Sequence, residues 1–206
     1  MKFTNNLLGL RLKGIKTPRH NRTARLLHWV LAPSFFLLAA SGFYIHKPAG
    51  AYGFRSMDKA RKVHFTAQYF FGFYFLSRLY YAVANRDYRK LFPGTRDIAA
   101  SPGFFAYEMF LKKKKPYFPK YNPGQKLLFS QMAILFATQL LTGAALYSTG
   151  KLQALSRLFG GLQNTRLVHY LAAIALSGIV VGHLYFAFTD SLEKLKSIVT
   201  GYFRPK

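Results

Sequence analysis

Cysteine is absent from the 206 residues, which excludes disulfides, thiolate-held metal and iron–sulfur ligation and leaves any cofactor to other ligands. Acid is nearly absent too: 6 Asp and Glu stand against 30 Lys and Arg, for a net charge of +24. All of the acids (Asp58, Asp87, Asp97, Glu108, Asp190 and Glu193) lie outside the long apolar runs of the chain. A carboxylate relay through those runs is therefore excluded. The first 25 residues are polar and basic, and no small-residue cleavage site follows the apolar run after them. That run reads as a retained helix rather than a cleaved signal.

What the chain does have is apolar length. Hydrophobic residues make up 51% and aromatics 17%, and a charge of +24 is compatible with that only if the two properties are segregated. Four runs, at about 26–45, 63–85, 127–149 and 167–189, are almost free of charge, with Arg78 the single charged residue inside them. Each is long enough to cross a hydrocarbon layer about 30 Å thick at ~1.5 Å per residue. The expected fold is all-α: one integral-membrane four-helix bundle over residues 1–206, with short interfacial helices and membrane lipid as its solvent.

The basic residues fill the segments between the runs instead of gathering on a folded face, which argues against nucleic acid as a partner. Of the 30, 21 fall in the N-terminal segment 1–25, the connection 86–126 and the tail 190–206, against 8 in the other two connections. The positive-inside bias then puts both termini in the cytoplasm of a multi-pass protein of a bacterial inner membrane. Five of the 9 prolines sit in the 86–126 connection, where Phe104 to Leu111 reads as an interfacial helix; Leu192 to Phe203 reads as another. Lys112 to Lys115 read as a contact for anionic lipid. Trp29 and the pair Tyr80–Tyr81 read as interfacial anchors.

Histidine carries the chemistry. His28 lies in the first run, His64 in the second, and His169 and His183 in the fourth. An ionisable side chain inside a bilayer is costly and marks function by default. Depth sorts the four. With the N-terminus inside, His28 and His183 share the cytoplasmic level, and His64 and His169 share the outer one. The last helix carries His169 and His183 14 residues apart, on nearly one face and about 21 Å apart along the axis. Each level offers two imidazoles and no carboxylate, which underfills a zinc site and completes a six-coordinate haem iron. Two haems b, ligated by His28/His183 and His64/His169, are the expected cofactors. Gly42, Gly72, Gly143, Gly178 and Gly182 are expected to make room for the macrocycles. Arg78, 14 residues after His64, has two readings that stay open: a partner for a haem propionate, or an arginine snorkelling to the interface. His20 and His46 read as surface residues.

At these residues the sequence resembles the cytochrome b subunits of membrane-bound nickel–iron hydrogenases and the gamma subunits of respiratory formate dehydrogenases. The matching segments are Arg25-Leu26-Leu27-His28-Trp29, Val63-His64-Phe65 with Ser77-Arg78-Leu79-Tyr80, Tyr121-Asn122-Pro123-Gly124-Gln125-Lys126, and Arg166-Leu167-Val168-His169 through Gly182-His183-Leu184-Tyr185. The resemblance implies the same four histidines as ligands and a quinone (menaquinone or ubiquinone) near Asn122, Gly124 and His183. It also implies a periplasmic redox partner, iron–sulfur or other, within a hetero-oligomer. The chain would then be a membrane-anchoring electron-transfer subunit with no catalytic residue of its own, passing electrons between a hydrogenase- or formate-dehydrogenase-type partner and the quinone pool. The competing expectation is a stand-alone haem b quinone oxidoreductase such as a superoxide oxidase. The chain departs from the hydrogenase relatives in lacking further histidines before the fourth run, which leaves the partner's identity open.

Overall fold

The structure, a computed structural model, describes residues 16–86, 88–114, 116, 121–189 and 192–204. Expectations that touch residues 1–15, Asp87, Lys115, Lys120, Asp190 and residues 205–206 lie outside these. Among the described residues the fold is all-α apart from a two-residue ladder. The helices are α1 (Arg22–His46), α2 (Met57–Ala84), α3 (Tyr88–Leu91), α4 (Thr95–Glu108), α5 (Pro123–Tyr147), α6 (Gln153–Leu158), α7 (Leu162–Thr189) and α8 (Leu192–Thr200). A 3-10 turn at Gly50–Tyr52 follows α1. Three helices, α1, α5 and α7, are long and apolar enough to cross a membrane. The second expected run is a 28-residue helix, α2, whose first turns carry Asp58, Lys59, Arg61 and Lys62.

Each long helix starts before its apolar run, and polar residues cap the starts of α1 and α5. Asn21 ends the approach to α1, its side-chain oxygen accepting the Ala24 N–H at 2.8 Å. At α5, Asn122 Oδ1 accepts from Gln125 N at 2.8 Å and Gln125 Oε1 accepts from Asn122 N at 3.1 Å, with Pro123 in the first turn. That is a reciprocal capping box with proline where its missing N–H costs nothing.

The chain divides into two compact units, residues 1–74 with 180–206, and residues 75–179. In the first, the end of the chain closes on its beginning. Strand β1 (Thr17–Pro18) pairs antiparallel with β2 (Tyr202–Phe203). Gly201, at φ +90, turns α8 into β2 and accepts from the N–H groups of Arg19 (2.9 Å) and His20 (3.1 Å). The last carbonyls of α8 are taken up by α1: Arg25 Nη1 donates to Val199 O and Trp29 Nε1 to Ile198 O. The expected interfacial tail helix thus stops at Thr200, three residues early, because a strand pair takes over.

In the second unit α4 begins at Thr95 and stops at Glu108, whereas the sequence suggests 104–111. It starts early because the Asp97 carboxylate accepts the Gly94 N–H at 2.9 Å, and it runs through Pro102. It stops because Phe110 takes the left-handed backbone, φ +61. The short helix α6 in the connection before α7 has no counterpart in the sequence reading.

Packing inverts the soluble pattern. Ser41, Thr142 and Thr165 are fully buried, as are Ala60 and Ala145, while Tyr80 (76%), Val181 (67%) and Ile134 (66%) are among the most exposed side chains. Small residues between helices with large apolar ones outside is the arrangement expected where lipid is the solvent.

Candidate cofactor-binding site

His64 sits on α2, in the first unit, against α1. Its Nδ1 lies 3.0 Å from Ser41 Oγ. A Cβ on the next residue, Gly42, would stand 3.2 Å from His64 Cε1, so glycine is what lets the ring lie against α1. His169 on α7 has the same neighbours on α5, within the second unit. Its Nδ1 lies 2.8 Å from Thr142 Oγ1, and a Cβ on Gly143 would stand 3.4 Å from its Cε1. Gln139 adds a bond from Nε2 to the His169 carbonyl at 2.9 Å, fixing the register of α5 on α7. Gly42 and Gly143, expected to clear space for a macrocycle, have the imidazoles as neighbours. Gly178 and Gly182 have no atom within 4 Å of where a Cβ would stand.

His28 and His183 both lie in the first unit, on α1 and α7. His28 stands edge-on to Trp29 with ring centroids 5.4 Å apart. Its Nδ1 is buried with no hydrogen bond, a state that ordinarily costs about 1–3 kcal/mol. Both members of this expected pair fall within one unit. His64 and His169 belong to different units, and their pairing rests on the register of the sequence. His169 and His183 do share one unbroken helix, α7.

The remaining predicted residues have roles of their own. Arg78, on α2, carries its guanidinium over the Tyr81 ring at 5.6 Å. Asn122 caps α5, as described. Gly124 faces Phe104 of α4 closely: a Cβ there would stand 2.5 Å from Phe104 Cε1. Two residues on, Lys126 Nζ reaches Asp97 Oδ2 at 2.8 Å, holding the corner between α4 and α5. The hydrogen bond from Lys126, and then that from the Gly94 N–H, hold the Asp97 carboxyl below its ordinary range.

The donor set fits haem. The candidates are imidazoles, and among the described residues no three His, Cys, Asp or Glu side chains gather as a closed metal site would need. For His64 and His169 the nitrogen engaged by a hydroxyl is Nδ1. Sequence reasoning missed both hydroxyls and Gln139. Serine and threonine are ordinary in membrane helices, but the pairs Ser41–Gly42 and Thr142–Gly143, each on a helix that precedes a histidine-bearing one, were a usable signal.

Comparison with known proteins follows the same lines. A family model described as prokaryotic cytochrome b561 matches residues 19–201. A probable Ni/Fe-hydrogenase B-type cytochrome subunit of Azotobacter chroococcum mcd 1 is 30% identical over 196 residues, spanning 85% of this chain and 82% of its own. The corresponding protein of Cupriavidus necator is 28% identical over 214 residues, spanning 91% and 86%. The cytochrome b556 subunit of a Haemophilus influenzae formate dehydrogenase is 29% identical over 191 residues, spanning 89% and 75%.

Proposed function

Because the chain belongs to the prokaryotic cytochrome b561 family and is a membrane-embedded, cytochrome b-like subunit, we propose that it anchors two haems b and links a periplasmic redox partner to the quinone pool. The partner is of hydrogenase or formate dehydrogenase type, and the chain works as its electron-transfer subunit within a hetero-oligomer. The observation that carries this reading is the state of the histidines. Four stand on long helices, two of them have Nδ1 engaged by a buried hydroxyl, and a third has Nδ1 buried without a partner.

His28 and His183 are the ligands at the cytoplasmic level, and His64 and His169 at the outer one. Bound haem b supplies one-electron oxidation and reduction at its iron. The chain's own part is to present neutral imidazoles, fix their rings and keep water away. Arg78 is assigned to a haem propionate. Asn122 and Gly124, with His183, are assigned to the quinone. The membrane-crossing parts of the four long helices hold no Asp or Glu, so quinone protons enter from the cytoplasmic side rather than through a carboxylate chain.

Four crossings with both termini in the cytoplasm suit the chain best. Pairing of Thr17–Pro18 with Tyr202–Phe203 supports an even number of crossings, and the distribution of lysine and arginine supports the cytoplasmic side. For α2 the support is its outer face: Tyr69, Phe73, Leu76, Tyr80 and Val83 are all exposed, as a lipid-facing helix requires.

Haem content of two variants tests the ligand assignment. His64→Ala is expected to lose the outer haem alone and His183→Ala the inner one, each retaining about half the wild-type haem. Full haem content in either variant contradicts it.

A further inference from the structure

Hydroxyl groups in these helices have one proton to give. Ser41 Oγ lies 2.5 Å from the Leu37 carbonyl and Thr142 Oγ1 lies 2.6 Å from the Thr138 carbonyl. A carbonyl oxygen only accepts, so each hydroxyl donates there. The same oxygens also meet His64 Nδ1 at 3.0 Å and His169 Nδ1 at 2.8 Å. With its proton already placed, each hydroxyl can only accept from the imidazole. Both rings are thereby held with hydrogen on Nδ1 and the lone pair on Nε2. Ser34 and Ser177 make the same bond back to their own helices; Ser41 and Thr142 go on to a histidine. Both are fully buried, so water does not compete for the bond.

We propose that Ser41 and Thr142 are positioning residues for the outer haem, fixing tautomer and ring orientation of His64 and His169 and setting the potential of the iron they ligate. The inference rests on the dihaem reading above. A partner that accepts from the second ring nitrogen makes an imidazole a stronger donor, and a stronger donor favours ferric iron, so these bonds lower the potential. His28, whose Nδ1 has no hydrogen bond, carries no such clamp, which makes the inner haem an internal control.

The test is redox titration of the purified full chain carrying Ser41→Ala, Thr142→Val or both, with low-spin ferric resonance spectra alongside to report ring orientation. The expected result is a rise in the midpoint of one haem by about a tenfold change in its reduction equilibrium, ~59 mV for one electron, with the other haem unmoved. Ser41→Thr and Thr142→Ser are expected to restore the wild-type value, and Ser34→Ala to leave both midpoints in place. Loss of one haem in the Ala or Val variant, recovered in the hydroxyl-keeping variant, also supports the clamp. Two haems with unchanged midpoints and spectra overturn it, as does haem loss that the hydroxyl-keeping variants do not repair. A wild-type chain without haem would sink the underlying reading instead, and the two failures are told apart by the absorption of the unmutated protein.

Discussion

A histidine in an apolar helix declares itself because charge and lipid exclude one another, and His28, His64, His169 and His183 were legible for that reason. The groups beside them were not. Ser41 and Thr142 are compatible with any membrane helix, and only the fold shows that each meets an imidazole. Gly42 was noticed as room for a macrocycle, and the fold adds a contact the sequence does not show: it lies against the His64 ring itself. Adding a side chain there tests that contact. A Cβ would already stand 3.2 Å from His64 Cε1, and valine would add two more carbons toward the ring, an overpacking of the kind that costs about 1–3 kcal/mol. Gly42→Val is expected to lose the haem that His64 ligates while keeping the other, read as haem per chain after purification. Full retention of both would show that the ring has room to move.

Among the elements, the long helices followed their apolar runs and differed at the ends, where caps rather than hydropathy decide. Asn122 shows why a motif is ambiguous from sequence. A quinone contact is the expectation at the sequence level, and the structure gives its side chain a capping bond to Gln125 N. Asn122→Ala is expected to destabilise by about 0.5–2 kcal/mol, the usual range for a lost cap, and Asn122→Ser to restore thermal stability. If quinone turnover stays low in the serine variant, the amide serves the quinone as well as the helix. The neighbouring ion pair adds a pH dependence. Asp97 is held below its ordinary range by Lys126 and the Gly94 N–H. Its contribution is present above the unfolded carboxylate value and is lost as pH falls through the lower folded one. Asp97→Asn is therefore expected to lower the melting temperature at neutral pH, with the gap from wild type closing on acidification. A gap independent of pH would place the stabilisation elsewhere.

At the level of the whole molecule, an apolar exterior over a small-residue interior was foreseeable from composition. The closure of residues 17–18 on 202–203 was not, since nothing local in either segment signals its partner. That closure, with the basic bias of the same segments, predicts both chain ends on the cytoplasmic side. Because the natural chain has no cysteine, a single cysteine placed at Lys16 or at Arg204 is the only thiol to label. Neither is expected to react with an impermeant reagent in intact cells, and both are expected to react in inverted vesicles; labelling of one end from outside would contradict four crossings.

The central claim is two imidazole-held haems in one chain, and the most direct measurement is the ratio of haem b to polypeptide in the purified wild-type protein. The account predicts two haems per 23.5 kDa chain, with b-type bands on reduction. A ratio of one, or a colourless protein made with ample haem supply, would contradict it.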